Sequence, residues 1–440
     1  MYCCGPTVYD LPHIGHGRAV LTWDIIRRYL EWTGVRVHHV ANITDVDDNI
    51  INRARERGVT PEALAKQYEA EWWKAMDRLG VHRPVDQPHA SEYVERMVEL
   101  VGELIDRGYA YDTTDTVYFT ADKVEGYGLL ARQTIESLRS GASDRGIDAS
   151  EKRSPIDFAL WKKATGPEDL PQWPSPWGAG RPGWHTECVV MSLDILGDGF
   201  DLHGGGLDLM FPHHENERAQ AVAWGRDFSR HWVHHGFVES AGEKMSKSLG
   251  NFTSLTDLLD RTDPRAYRLL VLRSHYRSPV DVTPELIVES EVALGRFDAL
   301  ARRVGSAPTV ALGRDASFAG GSQEAREALA AFDTAMANDI DTPSGVAVLF
   351  DLIRRANAAF DAGGGSGAQL AAAAFEVAAA MGLFASVPSG SVDAMATELV
   401  GRLDALRAAK DWAAADALRA ELQASGWTVE QTRDGTRVHR

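Results

Sequence analysis

Met1-Tyr2-Cys3-Cys4-Gly5-Pro6-Thr7-Val8-Tyr9-Asp10-Leu11-Pro12-His13-Ile14-Gly15-His16 opens the chain and decides the fold. Tyr2 to Val8 reads as a strand, Gly17 to Trp32 as an apolar-periodic helix, and Val35 to Ile43 as a second strand. Strand, tight turn, helix and strand make a βαβ unit of the nucleotide-binding kind. The turn carries the chemistry. His13-Ile14-Gly15-His16 sets two histidines and a glycine at a helix start. There the backbone can approach phosphate, and the helix end favours negative charge. Neither G-x-G-x-x-G nor a P-loop is present, so this reading rests on the order of elements.

Far downstream stands Lys244-Met245-Ser246-Lys247-Ser248. A lysine pair in a loop is usually solvated. Paired with the histidine turn, it reads as the second half of one ATP site, where a mobile loop neutralises charge that develops at the α-phosphate. In this order and separation the two motifs resemble those of the class I aminoacyl-tRNA synthetases.

At 440 residues the chain is too long for one core, and three or four domains are expected. Hydrophobic content of 44% and charged content of 25% fit a water-exposed globular protein. No segment approaches the roughly 20 apolar residues of a membrane span. No basic region followed by an apolar run opens the chain, so the cytoplasm is the expected compartment. Three cysteines, two adjacent and Cys188 distant, make no disulfide framework. The net charge of -17 argues against non-specific nucleic-acid binding, so an RNA partner must be argued from motifs.

The alternation of strand and helix breaks from Ser91 to about Pro182. Tryptophans and prolines crowd the end of this stretch, which reads as an insertion between two halves of one nucleotide-binding fold. The pattern is helical and alanine-rich from Pro264 to about Phe384, with a loose connector expected over Gly305 to Gln323. The last stretch reads as a helix pair followed by a hairpin turning at Asp434-Gly435.

A second cluster is His213-His214-Glu215-Asn216-Glu217. His213 and Glu217 stand four apart and share one face if helical, which is a metal-ligand spacing. A lone pair of this kind is more often a surface or capping contact, and H-E-x-x-H fails because position 218 is Arg. Cys188 precedes the cluster, and Cys4 ends the first strand. If both strand ends meet at the top of one sheet, Cys4, Cys188, His213 and Glu217 could surround one ion of the zinc type.

These residues lie within longer runs that resemble the cysteinyl-tRNA synthetase family over nearly the whole chain. The runs include Met1 to Asp10, Asn42 to Asp48, Lys152 to Lys162, Gly180 to Cys188, His203 to Glu217, Lys244 to Phe252 and Lys410 to Ala413. The resemblance implies an α/β fold with five parts. Residues 1–90 and 183–263 are the halves of a Rossmann-like catalytic domain, and 91–182 is an inserted connective domain. Residues 264–390 are a stem-contact and helical bundle domain, and 391–440 a small α/β anticodon-binding module.

The resemblance also implies one Zn2+ per chain on Cys4, Cys188, His213 and Glu217, with the substrate thiolate on the zinc. His13 and His16 would contact ATP phosphates. Lys244 and Lys247 would stabilise transfer, and Asp208 would meet the ribose. Gly5, Thr44 and Trp184 would hold cysteine. Mg2+ would accompany ATP, the other partners being L-cysteine and a cysteine-specific tRNA, and a monomer is expected. The zinc has a physical logic: a Zn–S bond of about 2.3 Å selects a thiolate over the hydroxyl of serine. Shape alone would supply only roughly 1–3 kcal/mol.

Three departures from the family pattern stand out. Cys3 replaces a small aliphatic residue, and strand alternation sends its side chain away from that of Cys4. Asn49 replaces a common lysine. A short segment that usually precedes the first strand is expected ahead of Met1, left out by a late-assigned start codon or by truncation. Two rival readings are a cysteine:amino-sugar ligase of mycothiol synthesis and an inactive RNA-binding or regulatory protein. The first lacks the terminal module, and the second should have lost the histidines, lysines and ligand set.

Overall fold

The computed structural model describes residues 1–137, 151–166, 168–239, 254–305, 311–363, 365–386, 394–424, 428–432 and 435–439. The run Lys244–Ser248, and with it Lys244 and Lys247, lies outside the described residues. So does the turn residue Asp434.

The first unit begins with β1 (Tyr2–Cys3), α1 (Ile14–Trp32), β2 (Val40–Ala41), α2 (Asp48–Arg57) and α3 (Pro61–Arg78). Both strands are shorter than their sequence runs. Gly5 approaches so closely that a Cβ there would sit 1.6 Å from the Asn42 carbonyl oxygen, and Pro6 has no N–H to give a ladder. The helix starts at Ile14 rather than Gly17, because His13 caps it. The chain then runs through α4 (Val94–Asp106), β3 (Ala110–Asp112), β4 (Thr116–Phe119), β5 (Phe158–Lys163) and β6 (Gly180–Pro182). These four strands form a separate antiparallel sheet, which accounts for the loss of alternation in the sequence.

The chain returns through α5 (Trp184–Leu196), β7 (Leu202–Gly206), α6 (Glu215–Trp224), β8 (His231–His235) and β9 (Val238–Glu239). The main sheet has the order β2-β1-β7-β8, and every pair is parallel. From β1 the chain crosses by α1 to β2 on one side. From β7 it crosses by α6 to β8 on the other. The strand order therefore reverses between β1 and β7, and sheets of this kind bind ligands in the crevice beyond the carboxyl ends at that point.

The rest of the first unit is helical: α7 (Leu255–Arg261), α8 (Pro264–Leu272), then β10 (Val280–Asp281), α9 (Pro284–Val304), α10 (Arg314–Gly320), α11 (Gln323–Ala337), α12 (Thr342–Asp361) and α13 (Gly367–Ala380). The connector expected over Gly305 to Gln323 thus contains a short helix, α10. The first compact unit holds residues 1–300 and 308–384, so the last turn of α9 belongs to the second. The second holds 301–307 and 385–440 and contains α14 (Ala394–Ala408), α15 (Trp412–Ala424), β11 (Thr428–Thr432) and β12 (Gly435–His439). Its two strands pair antiparallel, Thr432 opposite Gly435, as the hairpin reading expects. No helix among the described residues is long and apolar enough to cross a membrane.

Candidate active site and metal centre

Beyond the carboxyl ends of β1 and β7 lies a cavity of about 380 Å³ whose lining includes Cys4, His13, His16, Trp184, Asp208 and Phe237. Strand alternation sorts the two adjacent cysteines as expected. Cys3 packs against Trp23 and Ile26 behind the sheet, and burial pushes its thiol far above the ordinary range. Cys4 turns the other way. Its backbone N–H donates to the Gly204 carbonyl at 3.1 Å, tying the strand end to β7.

Four donors, from the end of β1, from α5, from the turn before α6 and from α6 itself, converge there. Cys4 Sγ lies 3.8 Å from Cys188 Sγ and 3.7 Å from Glu217 Oε1. Cys188 Sγ lies 3.7 Å from His213 Nε2, and His213 Nε2 is 2.8 Å from Glu217 Oε1. A tetrahedral centre with bonds of about 2.0–2.3 Å has donor–donor edges of about 3.3–3.8 Å. Of the six edges of such a tetrahedron, the three that join Cys4–Cys188, Cys4–Glu217 and Cys188–His213 fall in that range, and the His213–Glu217 edge is closed up as a hydrogen bond. Cys188, His213 and Glu217 are at most 1% exposed. The sequence-predicted set is thus brought together, with all its ligand atoms within 4.8 Å of one another.

The electrostatics suit a divalent cation. Burial opposes ionisation of Cys188, but hydrogen bonding with Cys4 and His213 holds its thiol down to about 6. Burial also opposes the Glu217 carboxylate, and His213 and His203 outweigh it, leaving that group well below the carboxylate range. His213 rises to about 10, because Glu217 and Cys188 overcome the cost of burying its charge. Burial and the hydrogen bond with Cys188 push the Cys4 thiol well up, so the two thiols share a proton between them. The pair and the Glu217 carboxylate face one buried point, where the His213 proton supplies positive charge as a metal ion would. Soft sulfur with imidazole and carboxylate is a zinc donor set.

A ring of histidines surrounds these donors. His185 Nδ1 meets His213 Nδ1 at 2.9 Å, and His203 Nε2 bonds the second oxygen of Glu217. His214 Nε2 lies 3.4 Å from Cys4 Sγ, and its Nδ1 is 2.8 Å from His234. His203 and His214 complete a second ligand-capable set with Cys4 and Glu217. Sequence reading missed His185, His203, His214 and His234 as site residues. The run His203-Gly204-Gly205-Gly206 was the available signal, since a strand ending in three glycines leaves little but the histidine to do chemistry.

Trp184 opens α5 at the rim. It is 38% exposed, and its ring stacks on His213 with centroids 4.0 Å apart. Gly5 lines the cavity. Thr44 does not: it is 1% exposed and gives its hydroxyl to Glu187 at 2.9 Å. Asn42 and Ile43 line the wall in its place.

His13 and His16 cap α1 reciprocally. The His13 N–H donates to His16 Nδ1, and the His16 N–H donates to His13 Nδ1, both at 3.2 Å. The rings stack at 3.5 Å. Burial lowers His13, with Asp208 pulling weakly the other way, and burial carries His16 down to about 3. Both rings are neutral at pH 7. Because each Nδ1 accepts, each proton sits on Nε2.

Comparison with known proteins agrees with this architecture. The family profile described as the tRNA synthetases class I (C) catalytic domain matches residues 1–292, and that of the DALR domain matches 331–385. The cysteine–tRNA ligase of Halorhodospira halophila is 44% identical over 453 residues, covering 100% of this chain and 94% of the relative. That of Thermodesulfovibrio yellowstonii is 40% identical over 465 residues, covering 99% and 94%. The chain belongs to the cysteine–tRNA ligase family.

It is accordingly a class I aminoacyl-tRNA synthetase by family. Among solved structures, Mycobacterium tuberculosis methionyl-tRNA synthetase in complex with methionyl-adenylate shares the fold at a TM-score of 0.57. The match has 16% identity and covers 86% of this chain and 88% of that one. A putative arginyl-tRNA synthetase from Campylobacter jejuni does so at 0.54, with 13% identity and coverage of 88% and 93%. The buried Cys/His/Glu cluster is compatible with a metal centre in this family.

Proposed function

We propose that the chain activates L-cysteine with Mg2+·ATP to cysteinyl-adenylate, releasing pyrophosphate, and then transfers cysteine to the 3′ end of a cysteine-specific tRNA. The observation that carries this reading is one cavity flanked by a thiolate-ready metal set and by a phosphate-ready helix start. Cys4, Cys188, His213 and Glu217 would hold Zn2+. When bound, the metal supplies a Lewis acid with affinity for thiolate sulfur, which serine cannot offer.

The remaining roles belong to side chains. His13 and His16 each present an Nε2–H, so two neutral donors and the start of α1 face the ATP phosphates without an added charge to desolvate. Asp208, on the same cavity wall, is the acid for the ribose hydroxyls. Trp184 and Gly5 bound the cysteine side, and Trp184 also fixes the His213 ring by stacking. The cysteine carboxylate attacks the α-phosphorus, and the bond to the pyrophosphate oxygen breaks. Lys244 and Lys247 are assigned to the charge that then builds on the leaving group. In the second step a tRNA hydroxyl displaces AMP from the cysteinyl carbonyl. Thr44 acts through Glu187 rather than on substrate.

Cysteine-dependent pyrophosphate exchange tests the first step, and charging of tRNA against an amino-sugar tests the second. Exchange without tRNA charging refutes the assignment of RNA as acceptor. Lys247→Ala should slow adenylate formation by roughly 3–4 kcal/mol of barrier, as losing one transition-state donor does, and leave cysteine affinity intact. A fall in cysteine affinity at unchanged turnover contradicts that role.

A further inference from the structure

Arg18 sits in the second turn of α1, close beyond the histidines of its start, and is 1% exposed. A guanidinium buried to this degree normally has a carboxylate partner. Among the described residues none stands in ion-pair range of Arg18. It is held instead by main-chain carbonyls from two distant segments. One guanidinium nitrogen donates to Phe237 O at 2.7 Å, and the other to Tyr276 O at 3.0 Å and to Ser278 O. Gly236 is pressed against the same place: its N–H donates to Tyr276 O at 2.8 Å, and a Cβ there would lie 2.6 Å from Ser278 O. Gly236, Phe237 and Val238 line the cavity with His13, His16 and Asp208, and so does Arg18.

The segment on which Arg18 pulls is braced from behind. Arg277 grips Asp339 with two nitrogens, at 2.6 and 2.9 Å, and Tyr276 Oη donates to the same carboxylate at 2.7 Å. Asp339 and Ile340 hold φ of 57° and 56°. Two consecutive residues with side chains in the left-handed region are costly, and such strain persists only where surrounding contacts fix it. A buried cation with no counter-ion among the described residues and a carboxylate on strained backbone thus meet on the Tyr276–Ser278 stretch, and Gly236, in the wall of the cavity, is hydrogen-bonded to that stretch.

We propose that Arg18 is a positioning residue for ATP: its planar fork fixes the Gly236–Val238 wall of the nucleotide cavity, and Asp339 braces the Tyr276–Ser278 backbone against which that wall is set. The assignment rests on the nucleotide reading of the cavity given above. Three carbonyls at fixed separations need a rigid fork, and the ammonium of lysine is a point charge on a flexible stem. Arg18→Lys keeps the charge and loses the fork, whereas Arg18→Met loses both.

ATP affinity of the full zinc-loaded chain is measured by calorimetry. The KM for ATP and for cysteine and kcat are measured by pyrophosphate exchange, and melting is followed in parallel. Arg18→Lys should weaken ATP roughly 10- to 100-fold, as small misplacements of a site do, with cysteine KM changed by less than about three-fold. Asp339→Asn, in a half-exposed carboxylate remote from substrate, should weaken ATP by about five-fold, the scale of one ordinary net hydrogen bond. Full ATP affinity in Arg18→Lys with loss in Arg18→Met would show that only charge matters and overturn the proposal. So would lower melting in Asp339→Asn at unchanged ATP affinity. A wild-type chain that binds ATP but shows no cysteine-dependent exchange would refute the functional reading alone, because the calorimetric comparison still decides the role of Arg18.

Discussion

Asp24→Asn should destabilise the first unit strongly, and in a pH-dependent way. Asp24 lies in α1 with its side chain 1% exposed. One carboxylate oxygen accepts from Arg28 at 2.8 Å and from Arg268 at 2.6 Å; the other accepts the His82 N–H at 2.8 Å. Arg268, itself 1% exposed, continues to the carbonyls of Leu79 at 3.0 Å and Met381 at 3.4 Å. The node thus joins α1, the end of α3, α8 and the end of α13. Asparagine keeps the bond to His82 but turns an NH2 group toward two guanidinium groups. Breaking a buried pair by removing one charge costs about 3–5 kcal/mol. At about 2–4 °C per kcal/mol, or less for so large a unit, melting should fall by about 10 °C at pH 7.

The sign of the pH effect follows from the carboxyl group. Burial alone would raise its pKa, but Arg268 and Arg28 outweigh burial and hold it below the ordinary value. A depressed folded pKa contributes stability above the unfolded value, about 3.9, and loses it as pH falls through the folded value. The gap between wild type and Asp24→Asn should therefore be full at pH 7 and narrow below about pH 4. Differential scanning calorimetry measures both. A melting change under about 2 °C at pH 7, or a gap that stays constant in acid, would refute the reasoning.

Three further predictions concern the site and the second unit. Cys3→Val should leave zinc content and exchange near wild type, since Cys3 packs with Trp23 and Ile26. Cys4→Ser should lower both together, and the opposite pattern would mean the wrong thiol is assigned. His185→Leu removes the group that holds His213 Nδ1, at 2.9 Å. It should weaken zinc by about 10- to 100-fold in a chelator competition, and unchanged affinity would exclude an orienting role. Deleting the chain after Ser391 should preserve cysteine-dependent exchange and raise the KM for tRNA. Equal loss of both activities would make the terminal segment a stabilising cap.

How much of this was legible in the sequence depends on range. Strand alternation separated Cys3 from Cys4, because neighbouring residues in a strand face opposite ways wherever the strand lies. The order of strand, histidine turn and helix gave the nucleotide-binding half, and the His213/Glu217 spacing gave one edge of the metal set. Such features depend on bonds and periods within a few residues. Gly5 and Pro6 cut the first strand to Tyr2–Cys3, because a close approach to Asn42 breaks a pattern whose apolar period continues to Val8.

What only the tertiary structure decided are contacts between residues hundreds of positions apart. Thr44 reads from the sequence as a substrate contact, and only the fold shows it buried with its hydroxyl given to Glu187. His203 acquires meaning when β7 lies beside β1, and His214 when the turn before α6 folds back over Cys4. Arg18 is one more polar residue on a helix until Phe237, Tyr276 and Ser278 bring it their carbonyls. A carbonyl belongs to every residue, so no sequence pattern marks the three that a buried guanidinium will meet; packing alone selects them.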